Sequence, residues 1–282
     1  MADELTGTLK KIKDSGAITI GHRDSSIPFS YFAGASQPCG FSHDIHLAIV
    51  ESLSKHLGID VKVRYSLVTS QTRIPLVQNG TVDLEAGSTT NNVERQQQVA
   101  FSVGIFEVAT RFITNVKDGQ PAYKDFPDLA AKNVVTTAGT TSERIIKAMN
   151  ADNQMRMNII SAKDHGEAFR MLESGRAVAM VLDDTLLAGA TAKARNPSDW
   201  VITGTPQSHE KYGFMMRKGD DAFKKLVDDA IIAYFKSGDV QRSYDKWFLH
   251  PIPPKAVKLD IRMSEELKGM LAEPTDTAIG QQ

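Results

Sequence analysis

Short apolar runs that end in glycine or in a polar loop alternate along this chain with longer stretches whose apolar positions recur every three or four residues. ITIG (18–21) has the pattern of a strand, and SHDIHLAIVESLSKHLG sets Ile45, Ala48, Ile49 and Leu53 at helical spacing before Gly58. VKVRYSLV is next a strand, SQTRIPLVQNG a short helix with a glycine stop, and TVDLEAGS a further strand. FEVATRFITN (106–115) is strand-like, and the polar KDGQPAYKDFPDLAAK after it links to new territory. There the pattern restarts: NVVTTAG strand, TTSERIIKAMN helix, MNIIS strand, DHGEAFRMLESG helix, AVAMVLDD strand, TLLAGATAKARN helix and WVITG strand. HEKYGFMMRKG returns as a strand, two helices follow in DAFKKLVDDAIIAYFKSG and DVQRSYDKWFL, HPIPPK is too proline-rich for helix or strand, and SEELKGMLAE closes with a helix. Strands alternating with helices predict two α/β units with parallel strands and helical crossovers.

At 282 residues the chain has the length of two ordinary domains. Its 33 basic and 34 acidic side chains, with a pI near 6.7, give no overall charge that would recruit nucleic acid or an anionic membrane. A content of 41% hydrophobic and 24% charged residues is that of a globular protein, and no apolar run nears the roughly 18 residues of a membrane-spanning helix. The single Cys39 has no partner for an internal disulfide. The opening MADELTGTLKK lacks the apolar core of a secretory signal, which fits a cytoplasmic chain or a mature exported one equally.

In open α/β sheets ligands bind beyond the carboxyl ends of the strands, and six predicted strand ends carry polar groups. They are Gly21 to Asp24, Thr69 to Arg73, Gly87 to Arg95, Gly139 to Ser142, Ser161 to His165, and Asp183-Asp184. Thr140 and Glu143 fit a capping box, while the free amides of the same helix start also suit an anion. Asn92 is a plausible cap, which leaves Ser88, Thr89 and Thr90 without a structural task. Arg95, in the first helical turn, opposes the helix dipole and calls for an anionic partner; read alone it suits a surface ion pair slightly better than a ligand clamp.

Other chemistry lacks a foothold. His43, His46 and His56 share one predicted helix, read as solvent-facing, with no cysteine or carboxylate cluster to complete a metal site. There is no G-x-S-x-G elbow, Cys39 sits in a turn, and phosphate-loop and dinucleotide fingerprints are missing, so neither a catalytic residue nor a cofactor is expected. Asp44 reads as a helix cap, and Trp247 and Phe248 as core.

The ordered set of motifs ITIGHRDSSIPFSYF, GFSHD, Ser88-Thr89-Thr90 with Glu94-Arg95 and Ala100-Phe101-Ser102, GTTSE, and LESGRA with AMVLDD resembles the extracytoplasmic solute-binding proteins that supply polar amino acids to ABC transporters. The likeness covers residues 8 to 250. More narrowly, HRDSSIPFSY, TSQTRIPLVQNGT, GSTTNNVERQ, ISAKDHG and TPQSHEKYG resemble the glutamate/aspartate-binding branch.

That resemblance implies an α/β, two-lobed, type II periplasmic-binding-protein-like fold, each lobe a mainly parallel sheet flanked by helices and joined by a two-segment hinge. The first lobe is expected to be discontinuous, 1–114 and 210–282, the second to be 115–209, with the chain crossing near 113 to 117 and returning near 207 to 212. Carried onto matching positions, Arg95 grips the ligand α-carboxylate with Thr90 and the helix start at Thr140 and Thr141. Asp183 and the Ser88 carbonyl take the ammonium, and Arg23, Ser70, Arg73 and His165 surround the side-chain carboxylate. Between Asp183 and Asp184 the ligand-facing residue follows from register, and Asp24 is positioned to neutralise Arg23. The expected ligand is L-glutamate or L-aspartate, the partners are the membrane permease subunits of an ABC transporter, and the protein is expected to be periplasmic and monomeric, with no metal or cofactor. Two other readings of the same fold are an enzyme acting on a small carboxylic acid, with His165 or Glu94 as general base, and the ligand-binding core of a receptor.

Overall fold

The computed structural model describes residues 5–279; residues 1–4 and 280–282, which the expected first lobe includes, lie outside the described residues. Helix α1 (Gly7–Ser15) precedes strand β1 (Ala17–His22), a small antiparallel pair of β2 (Ser25–Ser26) with β3 (Ser30–Tyr31), and helix α2 (Phe41–Leu57). Then come β4 (Lys62–Leu67), α3 (Arg73–Gln78), β5 (Leu84–Glu85), the single turn α4 (Val93–Gln96) and β6 (Ala100–Phe101). Helix α2 forms where its apolar spacing predicts: Phe41, Ile45, Ile49, Leu53 and Leu57 are buried on one face. Each such side chain contributes about 1.5–3 kcal/mol by leaving water.

FEVATRFITN is not one strand. It divides into β7 (Phe106–Val108) and β8 (Thr110–Lys117), which join different sheets. The polar link that follows is ordered, as β9 (Gln120–Pro121) pairs with β8, and Phe126 and Leu129 of a 3₁₀ turn are buried against Phe112 and Ile146. The repeated pattern then folds as β10 (Asn133–Thr137), α5 (Thr141–Asp152), β11 (Asn158–Ala162), α6 (His165–Glu173), β12 (Ala179–Asp183), α7 (Asp184–Thr191) and β13 (Trp200–Thr203). The returning segment is also split, into β14 (Glu210–Tyr212) and β15 (Met215–Met216), before α8 (Asp221–Lys236), α9 (Asp239–Tyr244) and the terminal α10 (Glu265–Ala272). Within the proline-rich HPIPPK, Pro251–Ile252 does pair as a short strand with Val257–Lys258.

These elements build two α/β lobes. One sheet has the order β4-β1-β5-β15-β6, with β1 parallel to β4 and β5 and the returning β15 antiparallel. The other runs β11-β10-β12-β8-β13, with β10 parallel to β11 and β12, and β8 antiparallel to both of its neighbours. The chain changes sheet between Val108 and Thr110, several residues before the expected crossing, and β7 pairs antiparallel with β14 where the two connecting segments lie side by side.

Candidate functional site

The carboxyl ends of both sheets face one another, and the polar strand ends meet there. Arg23 follows β1, Ser70 and Arg73 follow β4, and Ser88, Thr90 and Arg95 follow β5. From the other lobe, Thr140 and Thr141 open α5 after β10, His165 opens α6 after β11, and Asp183 ends β12. A small, narrow pocket is lined by Ser70, Arg73, Ser88, Thr90, Thr140, Thr141, His165 and Asp183, together with Leu182 and Leu186. Arg23 reaches it through Ser70, its Nη2 donating to Oγ at 2.9 Å. Arg95 reaches it through backbone: Nη1 donates to the Thr90 carbonyl at 2.9 Å and Nη2 to that of Gly139, across the cleft, at 3.4 Å. All ten residues singled out in the sequence are thus in or next to one cleft.

The local reasons are ordinary backbone chemistry. Asn92 caps α4, its Oδ1 accepting from the Arg95 amide at 2.9 Å, which aims the arginine into the cleft rather than to the surface. Thr140 caps α5 by accepting from the Glu143 amide at 3.0 Å, while the Glu143 carboxylate reaches back one residue further than a capping box, to the Gly139 amide at 2.8 Å. Gly139 has φ +80°, and a Cβ there would lie 2.9 Å from the backbone of Ser70 and Gln71, so this close approach of the two lobes needs glycine. Asp183, not Asp184, faces the pocket; Asp184 instead accepts from the Thr185 amide at 2.7 Å.

The electrostatics are those of buried cations that form no ion pair among the described residues, with Glu85 as a longer-range countercharge. Arg23, Arg73 and Arg95 are 3%, 2% and 8% exposed, which makes each an interior charge. Among the described residues, the arginines that form ion pairs are Arg144, Arg217 and Arg242, and these three are not among them. Burial lowers all three, with Arg23 reaching about 10 and Arg95 about 9, so they stay cationic at neutral pH. Arg73 Nη1 donates to Thr89 Oγ1 at 2.7 Å, but its Nε is buried without a protein partner, as are Ser88 Oγ and His165 Nε2. The His165 imidazole is pushed well below its usual range by burial and then by Arg23 and Arg73; its Nδ1 lies 2.8 Å from Thr137 Oγ1. Opposite this, the Asp183 carboxyl is pushed up to about 7, first by burial and then by Glu210, although Tyr212 and Ser142 both donate to it.

Three site groups lie outside the sequence expectations. Glu85, fully buried, accepts from Thr89 Oγ1 at 2.7 Å and is the internal countercharge near Arg23 and Arg73; the expected neutraliser, Asp24, is exposed. Glu210 and Tyr212 come from β14 and touch both lobes. Their sequence signal was a carboxylate and a phenol on a returning strand, which alone reads as structure. Two readings outside the cleft are corrected. His46 is buried, with Nε2 3.1 Å from the Tyr65 hydroxyl, because its helix face packs on β4 and not on solvent. Asp44 is not a cap; Gly40 precedes α2, and Asp44 accepts from Trp247 Nε1 at 2.7 Å and Ser243 Oγ at 2.8 Å, tying α2 to α9.

A family model for bacterial extracellular solute-binding proteins, family 3, matches residues 18–250. The chain belongs to that family. This family 3 solute-binding protein is 65% identical to the L-glutamate/L-aspartate-binding protein of Pseudomonas aeruginosa, over 100% of the chain and 93% of that protein. It is 52% identical to the glutamate/aspartate import solute-binding protein of Escherichia coli, over 96% of the chain and 89% of that protein. Among solved structures, the cysteine-binding protein from Campylobacter jejuni superposes with a TM-score of 0.74 at 25% identity, covering 90% of this chain and 98% of its own. The two-lobed α/β architecture of the family 3 proteins is therefore that of this chain. None of its described helices is long and apolar enough to cross a membrane.

Proposed function

We propose that this protein binds L-glutamate and L-aspartate outside the cytoplasm, closing its lobes around the amino acid and handing it as a monomer to the permease subunits of an ABC transporter. In a Gram-negative cell that compartment is the periplasm. The observation that carries the reading is the set of three buried guanidiniums without ion-pair partners, converging with unmet donors on a pocket that holds one carboxylate at its far side. A dicarboxylic amino acid adds two carboxylates for guanidiniums that Glu85 and Glu210 oppose without forming ion pairs, and an ammonium for Asp183.

In this reading Arg95 binds the α-carboxylate with the backbone of Thr90 and the open helix start at Thr140 and Thr141, which leaves amide donors and a favourable dipole for an anion. Asp183 and the Ser88 carbonyl hold the ammonium. Arg23, Ser70, Arg73 and neutral His165 surround the side-chain carboxylate; with Thr137 donating to Nδ1, Nε2 carries the proton and donates to the ligand. We further propose that the hinge lies at the paired segments Phe106–Val108 and Glu210–Tyr212, with the second lobe between them. Each of the ten groups assigned to the ligand serves ground-state binding, which favours a carrier over an enzyme. The relatives' names support the same ligands.

Calorimetric titration of refolded protein tests this. L-Glutamate and L-aspartate bind saturably. L-Glutamine, which leaves Arg23 and Arg73 without a charged partner, binds weaker by about 2–5 kcal/mol, roughly thirty-fold to several-thousand-fold in Kd. Arg73→Ala abolishes most of that discrimination. Equal binding of glutamine and glutamate to the wild-type protein would refute the assignment of the side-chain carboxylate.

A further inference from the structure

Glu210 has an arrangement that the ligand assignments do not use. Its single Oε2 accepts from the hydroxyls of two residues on opposite sides of the cleft, Thr90 after β5 and Thr141 at the start of α5, the second at 2.8 Å. The carboxylate is buried, at 6% exposure, and its strand is fastened to the Thr90 segment by backbone bonds on either side: the Asn91 amide donates to the Lys211 carbonyl at 2.8 Å and the Gly213 amide to that of Thr89 at 3.0 Å. The acceptor is thereby held in place with respect to Thr90, and Thr141 must come to it across the cleft.

A threonine hydroxyl has one proton and two lone pairs. With both protons committed to Glu210, Thr90 Oγ1 and Thr141 Oγ1 can only accept from anything in the pocket they line with Asp183. Thr140 is spent in the same sense, its hydroxyl donating to the Thr137 carbonyl at 2.7 Å. We infer that Glu210 is a positioning residue that turns the Thr90 and Thr141 hydroxyls into acceptors, so that the closed cleft is specific for a ligand amine and completes that specificity only when Thr141 of the second lobe arrives. The inference rests on the proposed amino-acid-binding function. It places the selection for nitrogen in a residue that need not touch the ligand.

Replacing the acid by its amide changes the hydrogen-bond polarity at nearly constant shape; because Glu210 also raises the Asp183 carboxyl, the comparison is made above about pH 8, where Asp183 is ionised in both forms. In Glu210→Gln the side-chain NH₂ donates to one hydroxyl, whose own proton then turns toward the ligand and opposes an ammonium. The test compares L-glutamate with glutarate, which lacks the amine, by calorimetry and by displacement up to millimolar concentration. Glu210→Gln is expected to weaken L-glutamate by at least about ten-fold and glutarate by less than about three-fold, since a bond to a charged group is the one lost. Thr141→Val, which removes one relay hydroxyl, should lower the same ratio and carries the test if Glu210→Gln fails to fold, as judged by its thermal melt. Equal weakening of both ligands, or no weakening, overturns the inference. Where glutarate stays beyond range in every form, the Glu210→Gln/Thr141→Val double variant decides: a loss no greater than the larger single loss supports the relay, and additive losses overturn it. A wild-type protein that binds neither L-glutamate nor L-aspartate refutes the proposed function itself, a result distinct from any of these.

Discussion

The chemistry of individual residues here is set by burial more than by neighbours. Asp183 is the clearest case: enclosed and beside Glu210, its carboxyl is raised to about 7, so below that pH the closed cleft holds it protonated unless an ammonium faces it. A bound ammonium favours the carboxylate, and binding near pH 6 must release on the order of one proton. The observed enthalpy of L-glutamate binding at pH 6 should therefore vary with the ionisation enthalpy of the buffer, and Asp183→Asn should abolish most of that variation. The affinity itself falls as pH drops below about 7, by up to about ten-fold per unit while a proton must be displaced. The ten cleft positions were legible as polar groups at predicted strand ends and through the ordered motifs of the family, a few of them also out of place as structure: an arginine in a first helical turn, hydroxyls beside a cap, an aspartate ending an apolar strand. Glu85, Glu210 and Tyr212 were not, because their partners become visible only in space; Glu210 lies 120 positions from Thr90.

At the scale of the element, helices were the most legible units, since an apolar stripe and its caps are local in sequence. α2, α5, α6 and α8 fall where apolar periodicity puts them, although Asp44 does not cap α2. Strands that change sheet were not separable, because alternation has the same period in β7 as in β8 and nothing in it names the partner strand. The buried face of α2 also carried an error at His46, whose imidazole is polar in composition and apolar in use. Burial, and then His43, holds it well below its ordinary 6.5. A group whose folded value is depressed contributes stability that is present above about 6.5 and lost as pH falls, because the unfolded chain binds the proton first. His22, His43 and His165 are shifted in the same direction, while Asp183 works the opposite way, its stabilising effect lost as pH rises through about 7. The difference between wild type and His46→Gln isolates the one group. The gap in urea midpoint between the two should be widest at pH 7 and narrow by pH 5; a constant gap would mean that His46 is not buried neutral.

For the whole molecule, the decisive quantity is how closely the lobes approach. Helix α7 of the second lobe passes so near the first that a Cβ on Gly189 would sit 1.9 Å from the Ile27 carbonyl oxygen. Gly189 has a helical backbone that alanine would adopt readily, so Gly189→Ala should leave both lobes folded, with an unaltered or slightly raised melting temperature in the absence of ligand. Closure is what it obstructs. L-Glutamate affinity is expected to fall by more than about ten-fold, and small-angle scattering at saturating ligand should show a larger radius of gyration than the wild type. Sequence alone determined the alternation of elements, the helix starts, the identity of the polar strand ends and, through ordered motifs, the family, because each of these is written in contiguous residues. What only the tertiary structure decided is which strands share a sheet, that Glu210 and Tyr212 reach across the cleft, and that the second lobe meets the first at Gly139 and Gly189. Those facts depend on contacts between residues dozens to hundreds of positions apart, and a period or a cap carries no information about such distances.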